Sequence, residues 1–337
     1  MLKFDEDKYR NDLTAQVNAI ADGKKIADEI TKQGYDNIFF VGVGGTYAMM
    51  MNFVTLAKQY TKIPVYLEQA GELVLVDNPH LTKNSLVITG SKSGDTKEIV
   101  NAEKWLKEKG IRIAAMVMSK ESAVGELCDW RIPLQVFKGV EFEYLSMYGI
   151  FYGLLADNGD FPRFDEFYDQ IKSNMVEGII NTQKNFDNRA EEIAKKYYNT
   201  DYQMWIGGGE LWGEVYLYTM CILEEMQWLK TKAVTSAEFF HGTLELVDKD
   251  LPVFLVKSVG KYRPLDERVE AFLKKENNNL TVFDINDYMI KGFDKEFQPI
   301  ISPIISTIIL NGRLSKHLES HSGHDLDMRR YYRQFKY

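Results

Sequence analysis

The stretch NIFFVGVGGT, residues 37–46, decides the fold class of this chain. Its first part is an apolar run that stops in closely spaced glycines, and apolar residues at helical spacing follow, namely Met49, Phe53 and Leu56. This order predicts a short strand, a glycine turn and a helix. Because the run shows no polar alternation, we expect both faces of the strand to be covered, as in parallel sheets that lie between two layers of helices.

The same order continues through the first half of the chain. Further apolar runs that predict strands lie at residues 65–67, 85–89 and 111–117. Helical spacing fills residues 96–109, most of the first 33 residues, and the stretch from about 141 to 198. These patterns predict an N-terminal helical segment over residues 1–34 and an α/β domain over residues 35–195.

The second half of the chain repeats this pattern. YQMWIGGGE, residues 202–210, resembles residues 38–46, and the runs at 251–256 and 280–284 correspond to the later strands of the first half. We interpret the repetition as an internal duplication. It predicts a second α/β domain over residues 196–337, so that each of two tandem domains is a parallel five-stranded sheet flanked by helices, an αβα sandwich. Two unrelated α/β domains are the alternative.

Composition excludes several classes of function. The net charge is −8, and an acidic chain is a poor partner for nucleic acid, whose affinity comes from basic residues on phosphates. Two cysteines, Cys128 and Cys221, are too few for a disulfide scaffold or a thiolate zinc site and fit a reducing compartment. The charged N-terminus is unlike a signal peptide, and the longest apolar stretch is roughly ten residues, about half a membrane span. We therefore expect a cytoplasmic protein with no membrane and no nucleic-acid partner.

The loop SKSGDT, residues 91–96, is a candidate phosphate site. It follows the strand predicted at residues 85–89 and opens a helix, whose first turn has unpaired N–H groups and a partial positive charge. Gly94 lets the backbone come close to a ligand. The hydroxyl donors are those of Ser91, Ser93 and Thr96, and Lys92 adds a charge.

The glycine turn Gly42–Thr46 makes this hypothesis stronger, because it also ends a strand and opens a helix. Two such loops on neighbouring strands can converge on one phosphate. The alternative is that Thr96 is only a helix N-cap and the serines only turn residues. A nicotinamide-binding turn is disfavoured, since Tyr47 stands where that motif needs its third glycine, and no G-K-[ST] motif occurs.

Taken together, three motifs resemble the sugar isomerase (SIS) family in its double-domain form. They are Gly44-Gly45-Thr46, the loop at residues 91–96, and AEFFHGTLE at residues 237–245. The tail HDLDMRRYY, residues 324–332, is similar to the ending of the fructosamine- and glucoselysine-6-phosphate deglycases. Two departures stand out: Thr243 replaces a usual proline, and Ile222 stands where the related synthases have a lysine.

The resemblance implies roles for individual residues. It implies phosphate contacts from Gly45, Thr46, Ser91, Lys92, Ser93 and Thr96. It makes Glu225 the proton-transferring carboxylate and His241 the ring-opening or acid–base histidine. The spacing of 16 residues between them matches the family pattern. Glu72 matches a position on the sugar side, and His324 matches a tail histidine that can reach a neighbouring subunit's site, so both are candidate substrate-binding residues. The resemblance also implies a dimer or tetramer with sites near the subunit interface.

The implied reaction is the release of an amine and glucose 6-phosphate from a 6-phosphorylated fructosamine. One carboxylate can carry a proton from C1 to C2, and water then hydrolyses the resulting imine. Neither a metal nor a cofactor is needed. We expect the first domain to hold the phosphate and Glu225 of the second domain to face C1 and C2 of the sugar.

Without the family resemblance, these residues also allow purely structural interpretations. Glu225 beside Glu224 also fits a solvated helix face, and a lone His241 fits a structural role. His317, His321 and His324 could suggest a metal site, but no H-E-x-x-H motif or cysteine partner accompanies them. Alternative functions are an aldose–ketose isomerase or deaminase acting on glucosamine 6-phosphate, and a sensor that binds a sugar phosphate without catalysis. Which amine the sugar carries stays open.

Overall fold

The computed structural model describes residues 1–335, so Lys336 and Tyr337, at the end of the predicted second domain, lie outside the described residues. The chain divides into two compact units. We call residues 5–177 the first unit and residues 1–4 with 178 onward the second unit.

The first unit alternates strands and helices. Its elements are α1 (Glu6–Gln33), β1 (Asn37–Gly42), α2 (Gly44–Tyr60), β2 (Val65–Gln69), α3 (Ala70–Val76), β3 (Ser85–Gly90), α4 (Lys97–Glu108), β4 (Arg112–Val117), α5 (Ala123–Leu127), β5 (Trp130–Pro133) and α6 (Val140–Asp157). A 34-residue helix, α7 (Phe164–Tyr197), follows.

The second unit has the same alternation at first and ends in helices. Its strands and α-helices are β6 (Tyr202–Gly207), α8 (Trp212–Leu217), β7 (Lys230–Thr235), β8 (Val253–Lys257), α9 (Arg263–Glu276), β9 (Leu280–Asp284), α10 (Gln298–Ile309) and α11 (Ser315–Ser322). Its 3-10 helices are Gly209–Leu211, Phe239–His241, Thr243–Leu246 and Ile285–Tyr288, and two π-helices are Tyr218–Glu224 and Leu310–Leu314.

The two compact units divide within the continuous helix α7, between residues 177 and 178. The domain boundary between residues 195 and 196 stays a prediction and lies near the end of that helix. Helix α1 belongs to the first unit and is not a separate segment. The reason is close packing on α6: a Cβ added at Gly23 would lie 3.1 Å from the Cα of Gly149, so the two backbones meet where neither has a side chain.

The first sheet has the order β2-β1-β3-β4-β5, with all pairs parallel. Every residue of β1 and β3 is buried, which explains their continuous apolar runs. Strand β5 was not predicted, because its four residues, WRIP, form a short edge strand with no apolar periodicity.

The second sheet has the order β7-β6-β8-β9, again wholly parallel. Within residues 1–335 it has four strands, so the prediction of five is wrong for this unit. After β9 the chain enters the 3-10 helix Ile285–Tyr288 and then α10, and nothing corresponds to β5. The first four strands of both sheets share the order second, first, third, fourth, which is what a duplicated domain predicts.

Among the described residues, no helix combines the length and the apolar character that crossing a bilayer requires. The most apolar helices, α6 and α10, are buried along nearly all their residues and serve as core.

Candidate functional site

Two loops of the first unit open at the same edge of the first sheet. Strands β1 and β3 are adjacent, with Val41 paired to Thr89, so the turn after β1 and the loop after β3 are neighbours. A Cβ placed on Gly90 would lie 2.6 Å from the methyl group of Thr46, so the two loops are in direct contact. The structure therefore brings Thr46 to the start of the 91–96 loop.

The loop itself is a tight turn built around hydroxyl groups. The Oγ of Ser91 lies 2.8 Å from the Oγ1 of Thr96 and accepts a hydrogen bond from the N–H of Gly94 at 3.1 Å. Gly94 has φ +72° and faces the side chain of Ser122, so a Cβ would be excluded there both by backbone strain and by collision. The N–H of Val124 donates to the carbonyl of Gly94 at 3.0 Å and braces the loop from behind.

Two helix N-termini meet at this edge. Thr96 precedes α4 as its N-cap, but its hydroxyl makes no capping hydrogen bond. Val43 precedes α2 and makes none either. The first N–H groups of a helix lack intrahelical partners and carry its positive dipole end, so two uncapped N-termini beside hydroxyl donors suit an anion. The interpretation of Thr96 as a simple cap does not account for this geometry.

The side chain of Lys92, which we predicted to bind the phosphate, forms an ion pair with a carboxylate instead. Its Nζ lies 2.6 Å from the Oε1 of Glu143, a buried carboxylate on α6. Ser93 is bonded to Asp95 within the loop. The sequence contains a signal for Glu143 that we did not use: Glu141 and Glu143 are acids in an otherwise apolar helix. Burial raises the pKa of the Glu141 carboxyl, which accepts a hydrogen bond from the Tyr9 hydroxyl at 2.6 Å.

Glu72, predicted on the sugar side, lies exposed in the first turn of α3. No hydrogen bond joins it to the 91–96 loop in the described part of the chain. Gly45 lies in the first turn of α2, beside Thr46.

Glu225 stands at an unusual piece of backbone in the second unit. It directly follows the π-helix Tyr218–Glu224, and its N–H bonds the carbonyl of Met220 at 3.1 Å, five residues back. Three residues later, Trp228 has φ +59°, a conformation that is costly for a large side chain. Widened helical turns and strained residues of this kind cluster at functional sites. The side chain of Glu225 is 33% exposed.

His241 lies at the other end of the neighbouring strand. Glu225 comes before β7, and His241 ends the 3-10 helix Phe239–His241 that follows it. The six residues of β7 span roughly 17 Å. No hydrogen bond links Glu225 and His241 in residues 1–335, and His241 is exposed. Within one chain the two predicted catalytic residues thus flank β7 and share no hydrogen bond in the described residues.

The C-terminal tail reaches Glu225 instead. The Nε of Arg329 lies 2.9 Å from the Oε1 of Glu225. The His324 ring packs edge-on against Trp228 with 4.3 Å between ring centroids. The guanidinium of Arg330 also lies over the Trp228 ring, with its Cζ 4.1 Å from the ring centroid. We predicted His324 as a site residue but gave Arg329 no role, although it stands in the same tail motif.

The other two histidines of the tail region are held by carboxylates. His317 contacts Glu191 at 2.6 Å and Asp187 at 2.9 Å, and His321 contacts Glu191 at 2.8 Å. Burial raises the pKa of Asp187, but hydrogen bonds from His317 and Arg313 outweigh it and hold the pKa below its usual value. Within residues 1–335 no group of three His, Cys, Asp or Glu side chains has the arrangement of a metal site. The described cysteines, Cys128 and Cys221, form no disulfide.

Comparison with known proteins gives a consistent result. Residues 29–150 match the model of the SIS domain. The chain is 28% identical to fructosamine deglycase FrlB of Bacillus subtilis strain 168, over 96% of this chain and 99% of that protein. It is 23% identical to fructoselysine 6-phosphate deglycase of Escherichia coli K12, over 91% of this chain and 88% of that protein.

A crystal structure of a candidate phosphosugar isomerase of Bacillus subtilis superposes with a TM-score of 0.87 at 26% identity, covering 96% of this chain and 99% of the other. This agreement confirms the family resemblance seen in the motifs. Residues 29–150 are thus similar to a SIS domain, and the chain is similar over almost its whole length to fructosamine deglycase FrlB.

Proposed function

We propose that this protein is a deglycase that releases an amine, such as an amino acid, and glucose 6-phosphate from a 6-phosphorylated fructosamine. The relatives support an enzyme that acts on sugar phosphates. The observation that carries the proposal is the pair of uncapped helix N-termini with Thr46, Ser91 and Thr96 at one edge of the first sheet. Three hydroxyl donors and two positive helix ends match the charge and the acceptors of a phosphate dianion.

Glu225 is the proposed acid–base group. A carboxylate takes a proton from C1 of the ketosamine, and the electrons of that C–H bond form the C1–C2 double bond of an enaminol. The electrons of the C2 carbonyl move onto its oxygen, which accepts a proton from His241. The carboxyl group then returns its proton to C2, which yields a protonated imine between the amine and C1 of glucose 6-phosphate. Water adds to this imine and expels the free amine, so the step needs neither an oxidant nor a cofactor.

His241 is proposed to act from a second copy of the chain. Since Glu225 and His241 lie at opposite ends of β7, a homo-oligomer is the arrangement that lets both reach one substrate. The side chain of His241 is exposed and is free of hydrogen bonds and ion pairs in the described part of the chain, as a group that completes a neighbouring site needs to be. We place the protein in the cytoplasm, where phosphorylated sugars and reduced cysteines are found together.

A substrate panel tests the activity directly. Purified protein is incubated with 6-phosphorylated fructosyl derivatives of lysine, aspartate and asparagine, with glucosamine 6-phosphate alongside, and release of glucose 6-phosphate is coupled to a dehydrogenase. The lysine adducts are made at both the α- and the ε-nitrogen. Turnover of glucosamine 6-phosphate alone would favour an isomerase or deaminase. Binding of glucose 6-phosphate without turnover of any compound would favour a sensor.

Glu225→Gln tests the assigned base. We expect kcat to fall about a thousandfold, because general acid–base groups contribute roughly 10² to 10⁴ in rate, while substrate affinity stays within a few fold. Glu224→Gln is the matched control, since the exposed Glu224 is adjacent and bonds Thr231. Loss of binding in Glu225→Gln with an intact fold would contradict the assigned role.

A further inference from the structure

The C-terminal segment 324–330, which we call the tail clasp, is folded against the proposed base. Arg329 makes the contact through its Nε, at 2.9 Å from the Oε1 of Glu225. The side chain of Arg329 is 17% exposed, half the exposure of its partner. The two residues are 104 positions apart in the chain, so the contact is a product of tertiary structure.

The guanidinium of Arg329 is fixed from its other side. Its Nη1 donates to the carbonyls of Leu326 at 2.6 Å and Met328 at 2.9 Å, within the clasp itself. Leu326 is buried, and its N–H donates to the Oε1 of Glu319 at 3.2 Å. The arginine is therefore held in place by backbone that is itself anchored, and the carboxylate of Glu225 is oriented by it.

The backbone beside Glu225 needs such support. Trp228 adopts φ +59°, a conformation that is unfavourable for a bulky residue and persists only where the surroundings enforce it. Those surroundings are in the clasp: His324 packs edge-on against the indole, and Arg330 lies over it. The strained turn and the clasp form one assembly around the carboxylate.

We infer that Arg329 is a positioning residue for Glu225: it binds Oε1 and leaves Oε2 directed to take and return the proton of the substrate. Within residues 1–335 the described hydrogen bonds of the Glu225 carboxylate all go to Oε1. A partly exposed glutamate has three side-chain torsions, and fixing one oxygen removes most of the disorder that would slow a proton transfer. This role rests on the proposed function of Glu225.

Kinetics of Arg329 variants test the role. We expect Arg329→Gln to lower kcat about 30-fold with KM changed less than threefold, because the reacting atoms lose alignment while the phosphate contacts remain. Arg329→Lys should recover part of the loss. Adding guanidinium ion to Arg329→Ala should restore activity several-fold, a response that a merely structural arginine would not give. Arg131→Gln removes the same charge from an exposed site of the first unit, where Nη1 donates to the carbonyl of Met118, and we expect its kcat to change less than twofold.

Amide hydrogen exchange gives a readout that does not depend on activity. If the ion pair holds the clasp, Glu225→Gln and Arg329→Gln should both speed exchange in residues 324–335, and the double variant should add little to either. Unchanged exchange in both variants, or an increase of kcat in Arg329→Gln, would overturn the assigned role. Faster exchange in a protein that turns over no compound of the panel would instead contradict the proposed function and leave the contact established.

Discussion

The loops after β3 and after β8 occupy the same position in two similar sheets, but their hydrogen-bond donors have different partners. Hydroxyls pair with each other in the first loop, and a carboxylate accepts from the donors in the second. In the first unit, Ser91 and Thr96 bond each other, and no carboxylate of the described residues binds their hydroxyls. In the second unit, the Asp266 carboxylate accepts hydrogen bonds from the N–H of Ser258 at 2.8 Å and from its hydroxyl at 2.7 Å. The Ser236 hydroxyl also donates to Asp266.

A second carboxylate closes the same loop. Glu210 accepts from the N–H groups of Val259 at 3.2 Å and Gly260 at 2.9 Å. Burial raises the pKa of both Glu210 and Asp266, and the hydrogen bonds offset part of that effect. A tethered carboxylate occupies its donors at an effective concentration that a dissolved anion does not reach. The comparison teaches that one fold can offer an anion site and, in its duplicate, use the same donors to hold itself together.

The first unit also has a buried acidic residue, Glu103, on the helix after the loop, but its carboxylate contacts the preceding strand and not the loop. Glu103 of α4 accepts a hydrogen bond from Thr89 of β3 at 2.6 Å, two residues before the loop begins at Ser91. Its other oxygen has no hydrogen-bond partner in the described structure. Burial raises the pKa of Glu103 to about 7. Glu103 therefore leaves the hydroxyls of Ser91 and Thr96 for a ligand.

We expect the largest effect on stability from removing Asp266, the carboxylate that accepts hydrogen bonds from the loop after β8. Asp266→Ala leaves the N–H and hydroxyl of Ser258 and the hydroxyl of Ser236 buried without an acceptor. We expect the free energy of unfolding of the second unit to fall by about 3 to 5 kcal/mol in urea denaturation. Glu267→Ala, next to it and exposed in an ion pair with Arg263, should cost less than about 1 kcal/mol. Equal losses in the two variants would break the comparison.

The second effect is a pH dependence that belongs to the first unit. The folded-state pKa of Glu103 is above its unfolded value, so its contribution to stability is complete at low pH and is lost as the pH rises towards about 7. Glu103→Gln should remove this loss. Between pH 5 and pH 8 we expect the stability of the wild type to fall by up to about 3 kcal/mol more than that of the variant. Glu98→Gln, an exposed acid on the same helix, is the control and should follow the wild type.

The smallest expected effect is on ligand affinity, and it tests which of the two loops binds the phosphate. Thr96→Val removes one hydroxyl donor, and we expect the Kd for glucose 6-phosphate, measured by calorimetry, to rise about tenfold, or about 1.4 kcal/mol. Ser258→Ala removes a hydroxyl from the corresponding loop of the second unit and should leave this Kd unchanged. A larger effect of Ser258→Ala than of Thr96→Val would move the phosphate site to the other unit.

Prediction from sequence worked best where a strand is a continuous apolar run, whether it lies inside the sheet or, like β9, at its edge. Strands β1, β3, β4, β6, β8 and β9 are short apolar runs, and each was predicted where it lies. Strands β5 and β7 were missed because WRIP and KTKAVT are edge strands with polar residues, whose pairing depends on the neighbour they meet. Helix α8 continues into the π-helix Tyr218–Glu224 directly before Glu225, and no local pattern in the sequence marks that widening.

The sequence by itself determined the strands, the glycine turns and the hydroxyl-rich loop of the first unit, because these depend on local periodicity and on conformations that glycine allows. Only the tertiary structure decided which charges meet. Lys92 pairs with Glu143, and Arg329 pairs with Glu225, across 51 and 104 residues of chain. Such contacts carry no local pattern, since a long charged side chain is compatible with many partners until packing brings one of them within about 3 Å.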